Sequence, residues 1–300
     1  MNISDDQLSR WTKPWFDNEE ERADETKEIV RLAVNNHLSD LSIRVFAKGS
    51  YPNNTNVRKD SDIDIAVEYK GLIRLGYADG VEFSDTELDH YRGISELEFK
   101  RRLQRALEIE FGESVIDLSG NKVFRIHGSD KILNADIIPC TTYRFYYGKN
   151  PFKYREGIQL ILNNPDGIRH FNYPDQHYKN GVDKNNSTKK RFKCVTRILK
   201  NTNNYLSENN GLSIFSSFMI ESLAYNVNNL IYIGNDVWRE IVLQASEEIW
   251  EYLKNDENSL SESNRWLEVN ECKYLFHEHQ KWTKDEAKQF IKAAYNLLAS

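Results

Sequence analysis

FAKGSYPNNTNVRKDSDIDIAVEY, residues 46–69, combines a Gly-Ser pair with two aspartates that alternate with isoleucines. Because neighbouring side chains of a strand project to opposite sides, Asp62 and Asp64 share one face, and Ile63 and Ile65 share the other. Two carboxylates this close repel each other, and a divalent cation between them relieves the conflict. The alternative is a polar edge strand that faces water, since an isolated Asp-x-Asp pattern is weak evidence.

Two further features favour the cation. Gly49 and Ser50 follow a predicted strand, and such a turn can present backbone N–H groups and a hydroxyl to phosphate oxygens, although an ordinary turn is the alternative. In ILNADIIPC, residues 132–140, Asp136 lies in an apolar strand, where a carboxylate is costly unless it is paired or metal-bound. Three carboxylates on neighbouring strands suit a two-metal site, in which one metal activates an attacking hydroxyl and the other holds a triphosphate.

The order of the predicted elements indicates an α+β fold. Helix patterns begin near Asn18 and at the capping-box pattern Ser95-x-x-Glu98, and several short strands surround the second helix. Strands are predicted at 42–47, 61–69, 115–117, 123–126 and 132–139. A mixed order of this kind is typical of α+β proteins rather than of repeating βαβ units.

Helices dominate after about residue 180. We therefore predict a catalytic core over residues 1–180 and a C-terminal helical domain over residues 181–300. The polar stretch GVDKNNSTKK, residues 181–190, is the predicted junction.

Composition sets wider limits. The chain has 300 residues, of which 39% are hydrophobic, and this is enough for a sizeable core in one or two domains. The net charge of −6 gives no global basic field for DNA binding. Three widely spaced cysteines fit neither a disulfide framework nor a metal motif. We expect no signal peptide and no membrane span, and hence a cytoplasmic protein.

The motifs together resemble a known family. Gly49-Ser50, followed by Asp62-x-Asp64 and a later Asp136, is similar to the polymerase-β-type nucleotidyltransferase pattern. With NYPDQHYKNGVDKNNSTKKRFKCVTRILK (172–200) and SIFSSFMIESLAYNV (213–227), it resembles the bacterial cGAS/DncV-like nucleotidyltransferases (CD-NTases), and the clade labelled E most closely. These are synthases of CBASS anti-phage systems. The resemblance implies a nucleotidyltransferase core, a helical lobe and an active site in the cleft between them.

The resemblance also implies an activity. Such enzymes join two or three nucleoside triphosphates into a cyclic oligonucleotide, release pyrophosphate at each bond, and thereby activate an effector protein. Ser50, with the Gly49 backbone, is expected to contact donor phosphates. Asp62, Asp64 and Asp136 are expected to bind two Mg²⁺ ions, for which Mn²⁺ can substitute, and Asp136 is expected to draw the proton from a ribose hydroxyl.

Six more residues are candidate nucleotide contacts, each with a structural alternative. They are Lys193 and Lys200 for the triphosphate, Ser216 and Ser217 for phosphate, Tyr143 for stacking on a base, and Asn172 for reading a base edge. The alternatives are a solvated basic face for the lysines, helix capping for the serines, a core or surface role for Tyr143 and a local backbone bond for Asn172. In relatives of clade E, an Asn near position 172 can favour uracil.

Other functions and partners stay open at this point. The alternatives are a nucleotidyltransferase that modifies a protein, a small molecule or an RNA end, and a non-catalytic nucleotide or RNA sensor. Regulatory proteins or an activating RNA are possible partners of what we expect to be a monomer. Four basic residues are an RNA-groove candidate, although a charged linker is the alternative: Lys184, Lys189, Lys190 and Arg191.

Overall fold

The computed structural model describes residues 3–14, 17–57, 62–83, 93–120, 122–129, 132–163, 169–256 and 261–300. The helices are α1 (Asp5–Trp11), α2 (Asp17–His37), α3 (Glu96–Phe111), α4 (Pro174–Ser187), α5 (Arg191–Asn210), α6 (Ser217–Asn226), α7 (Asn229–Ile233), α8 (Trp238–Lys254) and α9 (Lys284–Ala299). The strands are β1 (Ile43–Lys48), β2 (Ile63–Tyr77), β3 (Ile116–Asp117), β4 (Phe124–Ile126), β5 (Ala135–Tyr146), β6 (Tyr154–Leu160) and β7 (Phe171–Asn172). The predicted α+β class is therefore confirmed. None of the described helices combines the length and the apolar character that a membrane crossing requires.

Contacts divide the chain into two compact units, which we describe separately. The sheet unit holds all seven of these strands together with α2 and α3. The helical unit holds α1, α4–α9 and the short segment Asn53–Val57, which lies between β1 and β2 in the sequence. A division into domains at residue 180 stays a prediction.

A single sheet organises the sheet unit. Its main path runs β1-β2-β5-β4-β3, and β6 joins β5 with β7 beside it. The neighbours β2 and β5 are parallel, whereas the other pairs are antiparallel. The long strand β5 pairs with β2 along one edge and with β4 and β6 along the other, so it is the centre of the sheet.

The two faces of the sheet differ as the alternation predicted. Ile63 and Ile65 are almost fully buried in a core that also contains Val30 and Val34 of α2 and Phe99 of α3. The aspartates of the alternation therefore project from the face opposite these helices. The strand itself begins at Ile63, and the predicted first residue, Ser61, lies outside the described residues.

Both central strands extend further toward their C-terminal ends than predicted. β5 continues to Tyr146 rather than Pro139. β2 continues to Tyr77 rather than Tyr69, through a register shift against β5. Two glycines allow this continuation: a Cβ on Gly71 would lie 2.5 Å from the Tyr69 ring, and a Cβ on Gly76 would lie 2.1 Å from the Tyr143 hydroxyl. Glycine weakens a strand pattern in a sequence, yet here it makes room for neighbouring aromatic rings.

The helical unit has its own core, and its predicted helix stripe is confirmed. Phe192, Val195, Ile198 and Leu199 of α5 are fully buried. The polar stretch 181–190 is not an extended linker, because α4 continues to Ser187 and a tight turn leads directly into α5. Polar side chains close this turn. Asn185 and Thr188 accept hydrogen bonds from the first backbone N–H groups of α5, so the polar composition reflects capping rather than a linker.

Two of the four cations of the candidate RNA groove are used inside the helical unit, whereas Lys189 and Lys190 are exposed, and RNA binding stays a prediction. Lys184 donates to the carbonyl oxygen of Val227, and Arg191 binds the carbonyl oxygens of Tyr232 and Asn235. These cations therefore hold the helical unit together.

Candidate active site

Asp64 and Asp136 form the centre of the candidate site. The two residues are direct partners in the parallel pairing of β2 and β5, so their carboxylates project side by side from one face of the sheet. Asp62 precedes β2 by one residue and alternates with Asp64 onto the same face. The structure thus brings together the three acids that the sequence predicted, although Asp136 is some seventy residues away from the other two.

Gly49 completes this arrangement. It follows β1 with a φ of 77°, a left-handed conformation that favours glycine. A Cβ at this position would lie 2.5 Å from Oδ2 of Asp64, closer than atoms can approach. The backbone beside Ser50 therefore runs against the carboxylate, as a phosphate-binding turn next to a metal-binding acid requires.

The electrostatics of Asp64 show a demand for positive charge. Burial raises the pKa of Asp64, the positive charge of Lys48 lowers it, and the negative charges of Asp136 and Asp62 raise it further. Lys48 is the direct partner of Asp64 in the β1–β2 pairing. The net upward direction means that one lysine does not balance the burial and the two carboxylates.

Arg125 supplies additional positive charge, and the sequence analysis missed it. It pairs with Asp136 across β4 and β5, and its Nε donates to Oδ1 of Asp136 at 3.1 Å. The same nitrogen lies 3.9 Å from Oδ2 of Asp62. The signal was an arginine between two core residues, Phe124 and Ile126, which places it on the same sheet face as the acids once β4 is paired with β5.

The donor chemistry of these acids fits a hard divalent cation. Carboxylate oxygens are the ligands that Mg²⁺ and Mn²⁺ prefer, and the excess negative charge at Asp64 calls for such an ion. In the part of the chain that the structure describes, no three acidic, imidazole or thiol side chains form a ready-made metal site. The guanidinium of Arg125 lies near both Asp62 and Asp136, so it already neutralises part of the negative charge that would attract a cation.

The two candidate base contacts on the sheet lie on opposite faces. Asn172 pairs with Ile158, which pairs with Thr142, and Thr142 lies an even number of positions after Asp136 on β5, so the two share a face. Asn172 therefore faces the carboxylate side of the sheet. Tyr143 faces the other side, is 5% exposed, and stacks on Phe171 with ring centroids 3.9 Å apart. The prediction that Tyr143 stacks on a base conflicts with this position, because its ring already packs inside the protein.

Lys193 has the properties of an anion-binding residue in the helical unit. Its side chain is 9% exposed, and among the described residues no acceptor is hydrogen-bonded to its Nζ. Its burial in a poorly solvated position lowers the pKa of the amine. Ser216 caps α6 by accepting from the N–H of Met219, as the structural alternative expected, and Ser217 is exposed at the first position of that helix.

Lys200, in contrast, is used internally. Its Nζ donates to Oε2 of Glu221 at 2.7 Å and to Oγ1 and the carbonyl oxygen of Thr55 at 3.0 and 3.3 Å. An ammonium has three N–H donors, so no donor is left for a phosphate. The geometry therefore conflicts with the predicted phosphate contact of Lys200, and the sequence analysis missed its partners.

Comparison with known proteins gives a consistent assignment. The sequence profile of the cGAS/DncV-like nucleotidyltransferase C-terminal helical domain matches residues 179–299. The chain is 35% identical over 306 residues to the cyclic dipyrimidine nucleotide synthase CdnE of Legionella pneumophila, covering 99% of both chains. It is 30% identical over 305 residues to the cyclic dipurine nucleotide synthase of Elizabethkingia meningoseptica, again covering 99% of both.

Solved structures agree in fold. The CdnE cyclic dinucleotide synthase of Elizabethkingia meningoseptica, solved with GTP and Apcpp, has a TM-score of 0.81 at 28% identity, with both chains covered completely. The CdnE c-UMP-AMP synthase of Rhodothermus marinus, solved with Apcpp and Upnpp, also has a TM-score of 0.81, at 25% identity over 99% of this chain and 97% of the other. The chain belongs to the cGAS/DncV-like nucleotidyltransferases, and within them it is a CdnE-like enzyme.

Proposed function

We propose that this nucleotidyltransferase condenses nucleoside triphosphates into a cyclic dinucleotide and releases one pyrophosphate for each bond. The observation that carries the proposal is the pairing of Asp64 with Asp136 on adjacent strands, against the glycine of a Gly-Ser turn. That arrangement fits phosphoryl-type transfer, in which positioning and electrostatic stabilisation supply most of the catalysis. The names of the curated relatives that match over nearly the whole chain support the cyclic product.

Each residue of the sheet site has a role in this proposal. The Ser50 hydroxyl, with the Gly49 backbone beside it, donates to donor phosphate oxygens, while Asp62, Asp64 and Asp136 would hold the divalent cations. Asp136 accepts the proton of the attacking ribose hydroxyl once its hydrogen bond from Arg125 is broken. Two bound Mg²⁺ or Mn²⁺ ions would supply charge neutralisation at the phosphates and a lower pKa for the attacking hydroxyl. In the helical unit, Lys193 is the proposed ligand of the leaving pyrophosphate.

Asn172 is the proposed base-reading residue. An amide carries both a donor and an acceptor, so it can pair with the edge of uracil. Its position on the carboxylate face of the sheet supports this role. We propose that at least one substrate is UTP, and replacing Asn172 with Ala should then reduce the preference for UTP over ATP in a competition between equal concentrations.

A different nucleotidyl acceptor is the second candidate. Nucleotidylation of a protein or small molecule, or extension of an RNA end, would use the same carboxylates. A purely sensory role is disfavoured by the complete set of three acids. An anti-phage role, a regulatory protein, an activating RNA and a monomeric state remain predictions from the family resemblance.

Product analysis separates these candidates. The purified protein is incubated with four α-³²P-labelled nucleoside triphosphates and Mg²⁺ or Mn²⁺. The products are then treated with phosphatase, and their masses are determined by mass spectrometry. A phosphatase-resistant species with the mass of a cyclic dinucleotide is the expected result. Label in linear oligonucleotides or attached to protein would instead support the second candidate.

A further inference from the structure

The segment Asn53–Val57 has an unusual position in the chain. In the sequence it lies between Ser50 and Asp62, two proposed active-site residues, and yet it packs with the helical unit rather than with the strands. Thr55 is completely buried. A connection between two strands normally runs over the surface, so a buried polar residue within one needs a specific reason.

Two cations of α5 hold the backbone of this segment. Nη1 of Arg197 donates to the carbonyl oxygen of Asn54 at 2.5 Å, and Nζ of Lys200 donates to the next carbonyl, that of Thr55, at 3.3 Å. Asn54 itself has a φ of 53°, which is uncommon outside glycine. The path of the segment is thus fixed at two successive peptide groups, one of them in a conformation that needs outside support.

Glu221 of α6 completes the arrangement. Oε2 accepts from Lys200 at 2.7 Å and from the Thr55 hydroxyl at 2.9 Å, and Oε1 lies 3.0 Å from Nε2 of His177. Burial acts to raise the pKa of Glu221, but the charges of Lys200 and His177 and their hydrogen bonds hold it well below its usual range. The carboxylate is therefore ionised, fully paired and rigidly placed.

Besides the two backbone carbonyls, the strand connection contributes the side-chain hydroxyl of Thr55 to this network. This hydroxyl accepts from Lys200 at 3.0 Å and donates to Glu221, so it joins the ion pair to the segment. Valine has nearly the shape of threonine but neither donates nor accepts a hydrogen bond. Replacement by valine therefore removes the side-chain link between the segment and the ion pair, and leaves only the two carbonyl contacts to hold the segment.

We propose that Thr55, held by Lys200 and Glu221, is a positioning residue that fixes the backbone of Asn53–Val57, the segment that follows Ser50 in the connection to Asp62. This inference rests on the proposed function of those two residues. The role differs from phosphate binding, because the donors of Lys200 point to the segment. It also differs from general stabilisation of the fold, because loss of the Thr55 hydroxyl should lower the rate of the chemical step and loosen the segment Asn53–Val57 alone.

Three variants test the proposal. Thr55→Val removes the hydroxyl, and Thr55→Ser keeps it. Thr202→Val is the matched control, because Thr202 is also completely buried in the helical unit, but among the described residues its hydroxyl donates only to the Ile198 carbonyl of its own helix. For each full-length protein, hydrogen exchange of residues 54–57, affinity for a non-hydrolysable nucleoside triphosphate analogue, kcat, KM and Tm are measured.

We expect exchange at residues 54–57 to be at least tenfold faster in Thr55→Val and kcat to fall about tenfold, with KM and analogue affinity within threefold of the wild type. Thr55→Ser should restore both properties to within twofold, and Thr202→Val should change neither. Unchanged exchange in Thr55→Val, or equal losses of kcat in both valine variants in step with Tm, would overturn the proposal. If the wild type forms no cyclic product, the proposed function is refuted instead. Hydrogen exchange and analogue binding would still show whether Thr55 holds residues 54–57 in place.

Discussion

The carboxylate of Asp64 occupies the space in which a side chain at position 49 would begin. A Cβ on Gly49 would lie 2.5 Å from Oδ2 and 3.6 Å from Cγ of Asp64. The glycine of the turn and the acid of the strand therefore depend on each other. This relationship links the proposed phosphate-binding turn to the proposed metal-binding acid through direct contact, and it can be tested by a single methyl group.

Gly49→Ala should reduce kcat at least a hundredfold. The methyl group must displace either the Asp64 carboxylate or the turn, and misplacement by about 1 Å can cost roughly a hundredfold in rate. Gly80→Ala is the matched control, because Gly80 has a φ of 74° but nothing within 4 Å of the position of its Cβ. Both variants carry the backbone strain, so similar activities in the two would contradict the role of the Gly49–Asp64 contact.

Arg125→Gln should bind Mn²⁺ more tightly than the wild type. Arg125 neutralises Asp136 and lies near Asp62, and because solvent screens an exposed ion pair of this kind, an affinity gain of only about two- to fivefold is expected. The protein is titrated with Mn²⁺, and the concentration of free Mn²⁺ is monitored by electron paramagnetic resonance. Arg105→Gln, at an exposed position on α3, is the control. Weaker binding in Arg125→Gln would show that the arginine orders the carboxylates rather than competing with the ion.

Lys200→Met should mainly lower the free energy of unfolding, whereas Lys193→Met should mainly weaken triphosphate binding. Loss of Lys200 leaves Glu221 buried without its main cation and should lower the free energy of unfolding by about 3–5 kcal/mol. Loss of Lys193 removes an amine without an internal acceptor and should cost less than about 1 kcal/mol, while weakening binding of triphosphates but not of monophosphates. Urea unfolding and nucleotide titration measure these effects. Equal destabilisation of the two variants would contradict the distinction.

Lys100 should give the wild type a characteristic dependence on pH. Burial lowers its pKa to about 8, while its Nζ donates to the Ile161 carbonyl oxygen at 2.8 Å. Because the folded protein releases this proton at a lower pH than the unfolded chain does, stability rises as pH increases from about 8 towards 10.5. The wild type should gain on the order of 1–3 kcal/mol relative to Lys100→Met across that window. A constant difference between pH 7 and pH 10 in urea unfolding would show that Lys100 does not titrate in this way.

Much of the sheet site was accessible from the sequence because its signals are local. The alternation of Asp62 and Asp64 with isoleucines defines the faces of β2, and Asp136 is conspicuous within an apolar strand. The Gly-Ser turn after β1 is likewise a local pattern. These features specify which side chains share a face, although only the parallel pairing of β2 and β5 makes Asp64 and Asp136 direct neighbours.

The remaining features depend on pairing between distant segments. Arg125 reaches Asp136 only through the antiparallel pairing of β4 with β5, and Thr55 meets Lys200 across 145 positions of the chain. A single sequence carries no periodic signal for such contacts. Lys193 and Lys200 lie on similar positions of one helix, yet the first has no internal acceptor among the described residues and the second has three acceptors. Burial and partners, rather than residue type, separate their roles.

The central claim is that the paired carboxylates of Asp64 and Asp136 carry nucleotidyl transfer. The most direct measurement is the rate of pyrophosphate release from nucleoside triphosphates in Mg²⁺ or Mn²⁺, with the wild type compared with Asp64→Asn and Asp136→Asn at matched thermal stability. We expect both variants to lose at least about a thousandfold in rate, since each change removes a negative charge that the metal ions and the attacking hydroxyl require. Retention of the wild-type rate to within tenfold in either variant would contradict the claim.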